Sequence, residues 1–68
     1  SRWKVKAVKT FFYNSPQLGS QPRKGYLLKG NVVTGIRQLK NFIEVSFENG
    51  KGIFTDGYIL KKDLEELH

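Results

Sequence analysis

No cysteine and no methionine occur in this chain, and its only histidine, His68, is the last residue. Without cysteine there is no disulfide, no thiol nucleophile and no Cys-based zinc site. Ser/His catalysis would need a terminal histidine to be held firmly in place. No run of apolar residues approaches the roughly 18–20 needed to span a bilayer as a helix. The opening "SRWKVKAVK" lacks the apolar core of a secretory signal. Acidic residues are missing from the first part: Ser1 to Ile43 carries nine basic residues and no acid. The remainder, Glu44 to His68, holds three lysines against six acids, so the net +6 is the sum +9 − 3. Such asymmetry suits an anionic partner, and it equally suits a solvated surface that keeps a small domain soluble.

With 68 residues the chain forms one domain, spanning 1–68. A chain of this length buries only about 60% of the surface it exposes when unfolded, so its apolar residues must supply the stability. The 38% hydrophobic content, including nine aromatics (one Trp, three Tyr, five Phe), is enough for a compact β fold.

Phosphate-loop chemistry is excluded by spacing. Gly52 and Gly57 are five apart, but Tyr58 and Ile59 follow where a Walker loop needs Lys and Ser/Thr. Gly50-x-Gly52 lacks the third glycine of a dinucleotide fingerprint, because position 55 is Thr55. Glu65 and Glu66 stand on a terminal segment and read as a solvated face, not as an acid/base pair. No His, Asp or Glu cluster has metal-ligand spacing. The expectation is a non-enzyme without cofactor or metal.

The pattern that is present has period two. In Ser1–Lys9, Trp3, Val5 and Ala7 alternate with Arg2, Lys4 and Lys6, as in a half-buried strand. "TFFY" continues it, with Phe11 and Tyr13 on one face and Phe12 on the other; alternation alone leaves either set as the inner one. "NSPQLGSQPRKG" is a loop, "YLLKG" a strand closed by a turn at Gly30-Asn31, and "VVTGI" another β-branched strand. Asn41–Glu48 is the clearest strand, with Ile43, Val45 and Phe47 on one side. Asn49-Gly50 reads as a type I′ hairpin turn leading to a return strand over Lys51–Thr55. Leu64 and Leu67, spaced i, i+3, suggest a short helical turn at the C-terminus. Five short strands and their turns indicate a small all-β barrel.

In this order the motifs resemble the bacterial SH3 (SH3b) family, of the single SH3-like type found in Bacteroidetes-like proteins. The likeness covers about residues 7–64 and leaves 1–6 as an N-terminal extension. "AVKTFFYNSP" resembles the opening strand and aromatic start of a long first loop. "RKGYLLKG" is similar to the family's strand and turn, with Leu27 in the core position, and "VVTGI" to the next strand, with Val33 inward. "NFIEVSF" resembles the "gWykV" strand, Phe42 standing in the tryptophan place. "NGKGIFTDGYI" resembles the hairpin and closing turn, with Gly57-Tyr58-Ile59 for Gly-Trp-Val/Ile. Both signature tryptophans are thus replaced, and extra residues lie between Gly52 and Gly57.

The resemblance implies a five-stranded SH3-like barrel with a short C-terminal helical turn. It also implies a binding module of the bacterial cell envelope or periplasm; from the residues themselves the domain is expected to be non-catalytic, without membrane insertion, and a monomer because nothing in the sequence demands a dimer. Its groove would lie between the loops Asn14–Arg23 and Arg37–Asn41, and its partner would be an extended protein segment or a peptidoglycan stem peptide. Candidate groove residues are Tyr13, Tyr26, Tyr58, Phe12 and Phe42, because aromatic rings give large contacts at low entropic cost, flanked by Arg23 and Arg37, whose guanidinium groups suit bidentate capture of a carboxylate or phosphate. Phe12 is equally a core candidate, and Phe42 a residue that caps a barrel end. Asn49, Gly50, Gly30 and Gly57 are the expected turn residues, with Gly57 turning the backbone so that Tyr58 reaches the rim. A basic barrel that binds nucleic acid is the second partner class. A structural domain docking within a larger protein is the third.

Overall fold

The computed structural model describes residues 1–68 as seven antiparallel strands in one curled sheet. The strands are β1 (Arg2–Val5), β2 (Lys9–Tyr13), β3 (Pro22–Leu28), β4 (Val32–Gln38), β5 (Phe42–Glu48), β6 (Phe54–Leu60) and β7 (Leu64–Leu67), with one 3₁₀ turn, Lys61–Asp63, before β7. Their order across the sheet is β3-β2-β6-β5-β4-β1-β7, so the first and last strands are neighbours. The all-β expectation holds, and seven strands stand where five were expected.

The alternation in the sequence becomes the two faces of this sheet. Trp3 lies opposite Val33, Val5 opposite Leu64, Ile43 opposite Ile59, and Thr10 opposite Leu27. Cross-strand partners share a face, so these side chains converge with Phe12 and Val45 on one core, against which Phe47 packs partly buried. Each such aliphatic or aromatic burial is worth about 1.5–3 kcal/mol. Phe12 is therefore the inner residue of "TFFY", and Phe11 and Tyr13 face outward.

Four expectations are corrected. Ser1–Lys9 is not one strand, nor is its start an appendage. β1 ends at Val5, where the Lys6 and Ala7 amides donate to the Asp63 carbonyl at 2.8 and 3.4 Å. β1 itself lies between β4 and β7 with Trp3 buried, while β2 belongs to the other side of the sheet.

The C-terminal segment is strand, not helix: Leu64–Leu67 pairs with β1, from Val5↔Leu64 to Arg2↔Leu67. So short a helix cannot offset its nucleation cost, whereas the free edge of β1 supplies ready backbone partners.

The β5–β6 connection is no two-residue turn. No residue but glycine has positive φ, so Asn49 cannot take the first place of a type I′ turn. Instead Gly50 and Gly52 are left-handed, and Asn49 Oδ1 accepts from the Lys51 amide at 2.8 Å. The return strand consequently begins at Phe54 and runs through Gly57 and Tyr58.

Gly57 is finally no turn residue, since it sits inside β6 opposite Val45 without positive φ. Gly30, by contrast, is left-handed (φ 96°) in the turn between β3 and β4.

Candidate functional site

The outer face of the sheet carries one continuous row. Arg37 of β4 lies opposite Glu44 of β5, Glu44 opposite Tyr58 of β6, and Tyr58 opposite Tyr13 of β2. Arg37 Nε donates to Glu44 Oε1 at 3.1 Å, a surface pair worth at most about 1 kcal/mol. Tyr13 and Tyr58 are half-buried, each leaving part of its ring at the surface. Three of the residues singled out from the sequence, Tyr13, Tyr58 and Arg37, are thus brought into one line by strand register.

Phe42 underlies the row without joining its surface. It is 1% exposed, and Tyr13 meets its ring edge-to-face at 5.4 Å between centroids. Phe42 points away from Ile43 and so is buried outside the main core, covered by that tyrosine. It supports the site and offers a ligand nothing. Phe12, 4% exposed in the main core, is likewise removed from the candidate surface.

Arg23 is docked against the protein. Its guanidinium lies 5.5 Å from the centre of the Phe12 ring, and its Nη2 donates to the Asp56 carbonyl. Gly57 leaves the space for this: a Cβ there would collide with Arg23 Nη2 and stand 3.1 Å from the Tyr13 carbonyl oxygen. Arg23 Nε is buried without a hydrogen-bond partner. Tyr26 belongs to a separate group, where its ring meets Phe11 edge-on at 5.9 Å and the Lys9 ammonium lies 4.3 Å from its centre. Neither Arg23 nor Tyr26 joins the Tyr13–Tyr58 row.

Beside the row opens a groove of about 460 Å³ lined by Leu18, Lys40, Asn41, Leu60, Lys61 and Lys62. Leu60 is opposite the buried Phe42 and two residues beyond Tyr58 on the same face, so row and groove meet there. Leu18 comes from the β2–β3 loop, where the Ser20 amide and hydroxyl both donate to the Gln17 carbonyl, at 3.2 and 2.7 Å, and Gly19 is left-handed. Lys40 and Asn41 come from the β4–β5 loop. The Lys61 amide donates to the Asn41 carbonyl at 2.9 Å and ties the 3₁₀ turn to that loop.

Of the two loops expected to flank a ligand groove, the first contributes Leu18 and the second Lys40 and Asn41 to the lining of this one. Leu60, Lys61 and Lys62 were missed. Their signal in the sequence was a lysine doublet directly after a strand-ending leucine, which only the 3₁₀ turn directs to this place. No group of three or more His, Cys, Asp or Glu is placed to hold a metal ion. No helix is long and apolar enough to cross a membrane. No protein-family model, curated protein or solved structure matches the chain.

Proposed function

We propose that this domain is a non-catalytic binding module of the SH3-like type, which holds an extended peptide segment along the Tyr13–Tyr58 row and the adjoining groove. The observation that carries this reading is the groove itself. It is open, it is walled by two separate loops and a 3₁₀ turn, and its neighbour is a pair of half-buried tyrosines. Apolar floor, tyrosine hydroxyls and a few polar side chains are what a chain-like ligand needs for contact area and register. The SH3b resemblance adds the cell envelope as the setting, and a protein segment or a cell-wall stem peptide as the partner, with the domain acting as a monomer.

The test is an NMR titration of the domain with peptidoglycan fragments and with proline-rich and polar peptides. Amide shifts concentrated at Tyr13, Tyr58, Leu60 and Lys61 are expected, with Tyr58→Ala weakening the interaction while the fold is kept. If no ligand moves these signals, or if Tyr58→Ala only unfolds the domain, the reading fails.

A second reading, nucleic-acid binding, is favoured by the nine cations and no acids of residues 1–43. It requires affinity for a duplex or single strand that falls steeply with salt. Absence of binding at about 50 mM salt removes it.

A further inference from the structure

We infer that the groove selects acidic peptides: its occupant is an extended segment bearing carboxylate side chains beside aliphatic ones. This inference rests on the peptide-groove reading above and adds the chemistry of the ligand.

Three of the six lining residues, Lys40, Lys61 and Lys62, are cations, and none is an acid. The two carboxylates nearest to them in the chain are already engaged. Asp63 Oδ2 accepts from the Thr10 hydroxyl at 2.7 Å, and Glu44 is paired with Arg37 at 3.1 Å. Arg37–Glu44 is the single ion pair of the molecule, so all three groove lysines lack an acidic partner. The three lysines line one small volume together with Leu18, Leu60 and Asn41, and a lysine that covers an apolar wall with its stem keeps its ammonium in water at the rim. Each exposed pair is worth little by itself, but several charges of one sign around an apolar floor focus their field on a common anion. A basic ligand would meet three uncompensated ammonium groups, which is how like charge rejects a wrong partner.

The apolar component separates a peptide from a nucleic acid. The groove's own non-polar side chains are two leucines, and the aromatics beside it, Tyr13 and Tyr58, are half-buried in the sheet, whereas single-stranded nucleic acid is held by stacking on open aromatic faces. Leucines suit aliphatic side chains, and the lysines suit carboxylates between them.

The test uses three peptides capped at both ends, so that no terminal carboxylate contributes. One has a centre of alternating leucine and glutamate, the second has glutamine for every glutamate, and the third has lysine. Each is titrated into the wild-type domain and into the Lys40→Gln/Lys61→Gln/Lys62→Gln variant, with the Leu60, Lys61 and Tyr58 amides as readout. The glutamate peptide is expected to bind at the groove about ten-fold tighter than the glutamine peptide, and about ten-fold tighter to wild type than to the variant. The lysine peptide is expected to leave the groove signals in place. Because the glutamine peptide is compared on the wild-type protein, the test stands even if the triple variant fails to fold.

Equal binding of the glutamate and glutamine peptides at the groove overturns the charge selection and leaves the peptide groove standing. If none of the peptides moves the groove signals, and peptidoglycan fragments do not either, the groove reading itself falls. A single-stranded oligonucleotide that moves the same signals with equal affinity replaces the acidic peptide by a polyanion.

Discussion

Arg23 and Gly57 form a pair in which each residue's role depends on the other. The guanidinium passes over the glycine's α-carbon, reaches the Asp56 carbonyl and covers Phe12. A cation over an aromatic face contributes about 0.5–1 kcal/mol at an exposed site, and more as the site is desolvated. Gly57→Ala would push the guanidinium off this seat, which should cost about 1–3 kcal/mol, as overpacking does. In an Arg23→Ala background the same change meets no side-chain obstacle. Urea denaturation of the two single variants and the double variant should show the Gly57→Ala penalty shrinking when Arg23 is absent. An unchanged penalty would place the strain at the Tyr13 carbonyl instead. Phe42 shows the same dependence on a neighbour: as a sheet-surface residue it would be half-exposed, and the edge-on Tyr13 ring buries it.

The β5–β6 hairpin shows how an element's start depends on one side chain. Asn49 Oδ1 accepts from the Lys51 amide at 2.8 Å and lies 3.4 Å from the Ile53 nitrogen, while Glu48 Oε2 accepts from the Gly52 amide at 3.0 Å. Replacing Asn49 by Ala removes the acceptor for two loop amides, which solvent can partly replace. The expected loss is about 1 kcal/mol in chemical denaturation, with faster amide exchange at Lys51 and Ile53 and none at Ile59. Faster exchange spread over the whole of β6 would mean that the turn holds the register of the entire strand. At this scale β7 is the instructive element. Its leucines have helical spacing, yet the segment pairs with β1 because an unsatisfied strand edge lay within reach.

For the whole molecule, the decisive pairing is the one between its two ends. Arg2 lies opposite Leu67, and the core is closed by Trp3, Val5 and Leu64 together. Three of the nine core residues come from these two strands, so unfolding should be one cooperative transition. Trp3, the only tryptophan, reports on the shared core. Its fluorescence transition in urea should coincide with the far-ultraviolet circular dichroism transition. A tryptophan change at lower denaturant would mean that β1 and β7 detach before the rest. Removing residues 64–67 should abolish the folded state, because it exposes Val5 and the β1 edge at once.

Local pattern was enough for the class of fold, most of the strands and part of the core, but not for Phe12 or Leu64. Alternation decides which residues can share a face: Ile43 and Val45 follow directly from "NFIEVSF", as do Trp3 and Val5 from "RWKVK". Lack of cysteine rules out a disulfide or a thiol nucleophile within these 68 residues. The tertiary structure decided which of two alternating sets in "TFFY" is inner, because that depends on where Leu27 and Arg23 come to lie. It also decided that Leu64–Leu67 is a strand, since an edge in need of partners outweighs a weak local preference. And it made the groove, whose six residues come from three separate stretches of chain. Period and propensity are local quantities, and they carry no information about which loops will meet in space.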